Sequence, residues 1–86
     1  MKELRRSYYK DKRGHDIFWK MENRHYPYQQ CIGFCRLNAE KYKQRAGNKP
    51  GADPAIDRQK AATYIHEMHK LHNLKQEYER TGMMWP

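Results

Sequence analysis

Two runs of apolar residues recur at steps of three and four, and the segment G-N-K-P-G-A-D-P, Gly47 to Pro54, separates them. The first run is Tyr28, Cys31, Ile32, Cys35, Ala39, Tyr42 and Ala46. The second is Ile56, Ala61, Tyr64, Ile65, Met68, Leu71 and Tyr78. This spacing puts each set on one face of an α-helix. Pro27 stands at the start of the first run and Gly47 just past its end, and Asp53-Pro54 reads as an N-cap followed by a first-turn proline. The second helix of the pair is expected to continue to about Arg80, where Thr81-Gly82 stops it. A loop as short as Gly47 to Ala52 forces the two helices antiparallel. No segment alternates with period two for long enough to form a strand. The predicted fold is all-α, a helical hairpin preceded by a short helix.

That short helix is expected over Ile17, Phe18, Trp19 and Met21, with Asp16 as N-cap and an end near Asn23. The stretch from Asn23 to Pro27 breaks it, because proline disfavours helical backbone in the residue before it. Three segments follow: a basic, tyrosine-rich arm over residues 1–14, one helical domain over 15–80, and an apolar tail over 81–86. Met83-Met84-Trp85 is too apolar to stand alone in water and predicts docking, within the chain or onto another copy. At 86 residues the core is thin, with much of its burial concentrated in seven Tyr, two Trp and two Phe, so completion by oligomerisation is expected.

Eighteen Lys and Arg against ten Asp and Glu give a formal charge of +8, which favours anionic partners: nucleotides, nucleic acid or an acidic protein surface. The N-terminus has no apolar signal-peptide core and no window approaches a membrane span, so a soluble, cytoplasmic protein without membrane contact is expected. Cys31 and Cys35 lie one helical turn apart. A bridge within a regular helix strains disulfide geometry, so both are read as reduced, packed thiols.

Within the hairpin, Asn38, Lys41, Tyr42 and Arg45 share one side of the first helix at i, i+3, i+4 and i+7. Asp57, Lys60, Ala61 and Tyr64 repeat that spacing on the second. Antiparallel pairing brings Arg45 and Lys41 near Asp57. One reading is an ion pair that fixes the hairpin's register, with Asn38 tying the helices. The other is a phosphate-gripping cluster at the hairpin mouth, in which Lys41, Arg45, Lys49 and Lys60 contact the anion, Asp57 orients Arg45, and Asn38 donates to a base or sugar. Tyr8, Tyr9, Tyr42 and Tyr64 are candidate supporting residues.

The pattern G-F-C-x-x-N-x-x-K-Y-x-x-R-A-G-x-K over residues 33–49, followed by D-x-x-K-A-x-x-Y over 57–64, resembles the SaV-like family of small phage proteins. That family includes the C-terminal part of a coliphage nucleotide kinase. The likeness extends back to Ser7-Tyr8-Tyr9, where Tyr8 stands at a position usually held by histidine. It implies a phage-encoded, nucleotide-binding protein acting in the cytoplasm of an infected bacterium. It also implies phosphorylation of deoxynucleoside monophosphates with ATP and Mg²⁺, although the residues themselves show no phosphate-binding glycine loop of kinase spacing.

Two other function classes remain open on the sequence. A small basic phage factor can block a host defence or enzyme by protein contact or by sequestering a nucleotide signal. Alternatively, the arm, with Tyr8 and Tyr9 among Arg5, Arg6, Lys10, Lys12 and Arg13, can stack and grip single-stranded nucleic acid. His66, His69 and His72 repeat every three residues, but H-E-x-H lacks zinc-protease spacing, so no metal site is expected.

Overall fold

In the computed structural model, which describes residues 14–51 and 53–86, the chain forms α1 (Ile17–Glu22), α2 (Tyr28–Arg45) and α3 (Pro54–Arg80). The described residues contain no strand. Residues 1–13 of the arm, Tyr8 and Tyr9 among them, and Ala52 of the loop lie outside the described part.

Local chemistry sets the helix ends. The Asp16 carboxylate accepts the Trp19 N–H at 2.8 Å, satisfying one of the free donors at the start of α1. The Asp53 carboxylate accepts from the Ala55 N–H at 2.9 Å, and Pro54 enters the first turn of α3 where its missing N–H costs nothing. After α2, Gly47 takes a left-handed conformation (φ 81°), which lets the N–H groups of Asn48 and Lys49 fold back on the Arg45 carbonyl. Gly82 does the same after α3 (φ 81°) and turns the tail back toward the core.

Helices α2 and α3 pack antiparallel along their lengths, and α1 lies against α3. Arg45 meets Asp57 at the mouth of the hairpin, Tyr42 stacks on Tyr64 one turn in, and the Tyr28 hydroxyl comes within 3.4 Å of His72 near the far end. The core consists of Phe18, Met21, Cys31, Cys35, Leu71 and Trp85, flanked by half-buried Tyr28, Ile32, Tyr64, Met68 and Tyr78. Ala39 and Ala61 are also buried, and their small side chains permit close approach of the two helices.

The tail docks within the chain. The Trp85 indole N–H donates to the Tyr26 carbonyl at 2.8 Å, and the ring meets Tyr28 and Tyr78 edge-on. Pro27 gives α2 no side-chain cap, and the Pro86 carbonyl accepts the Tyr28 N–H at 2.6 Å in its place. Arg24, with a left-handed backbone (φ 62°), places its guanidinium 4.6 Å from the Tyr78 ring centroid and donates to the Met84 carbonyl at 3.0 Å.

Trp85 is the buried tryptophan, while Trp19 is half-buried and stacks on His15 at 3.5 Å. One expectation about the apolar face of α3 needs adjusting. Ile56 stays 46% exposed because the first turn of α3 turns Asp57 inward instead. Among the described residues no helix is long and apolar enough to cross a membrane.

Candidate phosphate-binding site

The mouth of the hairpin gathers positive charge around one tyrosine. Lys41 Nζ lies 4.5 Å from the centroid of the Tyr42 ring, Lys60 Nζ 5.2 Å and the Arg45 guanidinium carbon 5.7 Å. Two of these cations come from α2 and one from α3. Tyr42 is held in place by Tyr64, its ring stacked at 6.0 Å with 9° between the planes. Tyr64 in turn meets Phe18 and Phe34 edge-on. The cations therefore surround an aromatic post anchored to the core.

Two unit positive charges roughly 8 Å apart in water repel by about 0.5 kcal/mol. A cation near an aromatic face gains a comparable amount, about 0.5 to 1 kcal/mol at an exposed site. The ring thus offsets the cost of collecting the cations but does not neutralise them, and the excess positive charge remains to attract an anion. Lys41 is exposed, while Lys60 and Arg45 are half-buried.

Among the described residues, Asp57 is the one carboxylate paired with the cluster. It is 2% exposed, and its Oδ1 lies 3.7 Å from Arg45 Nε, an ion pair too long for a hydrogen bond. Neither Arg45 Nε nor Asp57 Oδ2 has a hydrogen-bond partner among the described residues. The arginine is held electrostatically, and its donors are not used up by a bidentate grip. Removing it as Arg45→Met leaves Asp57 buried without its counter-charge. Breaking a fully buried pair costs about 3 to 5 kcal/mol. Because the Arg45 side chain is 35% exposed, a loss of about 1 to 2 kcal/mol is expected in urea unfolding, with Asp57→Asn recovering part of it on the same background. Equal stability of Arg45→Met and the parent would show that the pair carries no weight.

The remaining candidates sit apart from this centre. The Asn38 side-chain N–H donates to the Phe34 carbonyl of its own helix at 2.8 Å, so it does not tie the two helices together. Lys49 is exposed in the loop, where its backbone N–H caps Arg45. Phe34 went unremarked in the sequence, yet it stands one turn before Asn38 on the stripe that continues to Lys41 and Arg45, so extending the spacing backward would have found it.

Among the described residues no three His, Cys, Asp or Glu side chains gather as metal ligands. His66 and His69 are exposed, and His72 stands beside Tyr28 and Gln76. Cys31 and Cys35 are free thiols. The fold and the cluster together define a small helical protein with a cationic mouth. In comparison with known proteins, the chain matches no family model, no curated protein and no solved structure.

Proposed function

We propose that the protein binds the phosphate groups of a nucleotide at the hairpin mouth. Lys41, Lys60 and Arg45 contact the anion, Asp57 positions Arg45, and Lys49 approaches from the loop. The observation that supports this reading is the convergence of three cations from two helices on Tyr42, with a single, buried carboxylate opposing them among the described residues. Lys41 and Arg45 come to Tyr42 through the spacing of their own helix, and Lys60 reaches the same ring from α3, which a solvated face of a single helix would not bring about. Hydrogen bonds from charged donors to phosphate are short and strong, and an arginine free of a bidentate partner is suited to this role.

Phosphoryl transfer with ATP and Mg²⁺, as the family resemblance implies, is a further proposal that the residues at this mouth do not serve. Magnesium takes oxygen ligands in near-ideal octahedral geometry, whereas Asp57 is buried and turned toward Arg45.

Calorimetric titration with inorganic triphosphate tests the site directly. Binding is expected to weaken as salt is raised. Lys41→Ala and Lys60→Ala should each weaken it about ten-fold, the scale of a lost charge-assisted hydrogen bond. Lys43→Ala, an exposed lysine of α2 outside the cluster, should leave it unchanged. Absence of binding, or the same loss with Lys43→Ala, would refute the assignment. A protein that acts only by covering an acidic partner would show no heat at all.

A further inference from the structure

We infer that the groove between α1 and the first turns of α2 is a nucleobase subsite, which makes the preferred ligand a nucleoside di- or triphosphate; this rests on the phosphate reading above. The groove is a cavity of ≈ 220 Å³ lined by Ile17, Met21, Tyr26, Gln30, Cys31 and Phe34. Its lining is mostly apolar, with the Gln30 amide, the Tyr26 phenol and the Cys31 thiol as its polar side-chain groups, and Tyr26 and Phe34 each keep 38% of their surface exposed. Apolar walls, aromatic edges and a few polar groups that fix orientation are what a flat heteroaromatic ring needs. The Gln30 amide offers one donor and one acceptor, the pair that meets adenine at N6 and N7.

Placement links this groove to the cations. Gln30, Phe34, Asn38, Lys41 and Arg45 follow one another at steps of three and four, on one stripe of α2. The Phe34 ring meets Tyr64 at 5.8 Å, and Tyr64 stacks on Tyr42 at 6.0 Å, so a continuous aromatic path runs from the groove to the cationic ring. Phe34 and Lys41 are separated by about 10 Å along the helix axis, two turns. A phosphate attached directly to the sugar lies between the two points, and the phosphates beyond it reach Lys41, Lys60 and Arg45. The Asn38 amide nitrogen is bonded to its own helix, which leaves its oxygen to accept from a sugar hydroxyl midway. The ligand's negative charge increases toward its phosphate end, where the protein's positive charge is concentrated.

The test compares ATP, AMP and inorganic triphosphate by calorimetry on the full chain. ATP is expected to bind about ten-fold tighter than inorganic triphosphate, the effect of one base stacked on an aromatic side chain, and AMP to bind weaker than ATP. Gln30→Ala should bring ATP down toward inorganic triphosphate while leaving the latter's affinity untouched, and Phe34→Ala, which also removes a ring packed on Tyr64, should weaken ATP by a larger factor than inorganic triphosphate. Gln30 is exposed, so its variant keeps the test sound should Phe34→Ala disturb packing, which helical circular dichroism would reveal. Equal affinities for ATP and inorganic triphosphate, or loss of both in the groove variants, would overturn the base subsite while sparing the phosphate site. Failure of every phosphate compound to bind would overturn both.

Discussion

Trp85→Ala is expected to lower the unfolding free energy by about 3 to 5 kcal/mol, the range for truncating a buried large aromatic side chain. For a domain of this size that is a large part of a total of about 5 to 15 kcal/mol. The indole is 3% exposed and meets the rings of Tyr28 and Tyr78 at centroid distances of 5.2 and 5.8 Å. It thereby joins the start of α2 to the end of α3, where the hairpin has no connecting loop to hold it closed. The loss extends beyond the cavity, because the Tyr26 carbonyl loses its indole donor and the Pro86 carbonyl is no longer fixed against the Tyr28 N–H. Trp85→Phe keeps much of the ring packing and removes the indole N–H, so a smaller cost is expected, with about 1 kcal/mol from the hydrogen bond itself. Met84→Ala serves as the neighbouring control. Met84 is 80% exposed, and its replacement should move stability by under about 0.5 kcal/mol. Urea unfolding followed by circular dichroism measures all three. A cost for Trp85→Ala no larger than for Met84→Ala would mean that the tail is not part of the folded core.

Helix positions were legible because their signals are local. Asp16, Asp53-Pro54, Gly47 and Gly82 mark helix ends through side-chain capping and backbone conformation, which depend only on near neighbours. The antiparallel register followed from the short loop, and with it the approach of Arg45 to Asp57. What the apolar spacing could not show was which residues occupy its edges. Asp57, Thr63 and Glu67 are buried on α3, and Asp57 sits on an inward face that the spacing begins at Ile56. A polar residue is invisible to a search for apolar periodicity, and here Asp57 faces Arg45 of the other helix while the Thr63 hydroxyl donates to the Gln59 carbonyl of its own. The seat of Trp85 was equally hidden, since it depends on Tyr26 and Tyr28, which lie nearly sixty residues away in the chain. At the site, the helical spacing placed Lys41 and Arg45 on one side, and the loop brought Lys60 to them. That Tyr42 would stand at their centre required the crossing of both helices.

The two thiols are expected to react with iodoacetamide at pH 8 at least about 100-fold more slowly in the native protein than in urea, because the thiolate is the nucleophile. Burial, reinforced by the charge of Glu67, pushes Cys31 up to about 11. The same causes push Cys35 up to about 12, with Cys31 adding to them. At pH 8 the native thiolate fraction is therefore on the order of one in a thousand or less, against roughly one in ten for an unperturbed thiol. The shift also sets a direction for stability. Between the unfolded value of 9.0 and the folded values, the unfolded chain has released thiol protons that the native chain retains. Stability from this source is complete below pH 9.0 and is lost as pH rises through about 11 and about 12. Replacing both residues by alanine should flatten that alkaline decline by up to about 1.4 kcal/mol per pH unit for each thiol. The lysines and tyrosines that also titrate in this range are common to both proteins and cancel in the comparison. Native labelling as fast as labelling in urea, or an alkaline decline unchanged by the double substitution, would place these cysteines in contact with water rather than in the seam between α2 and α3.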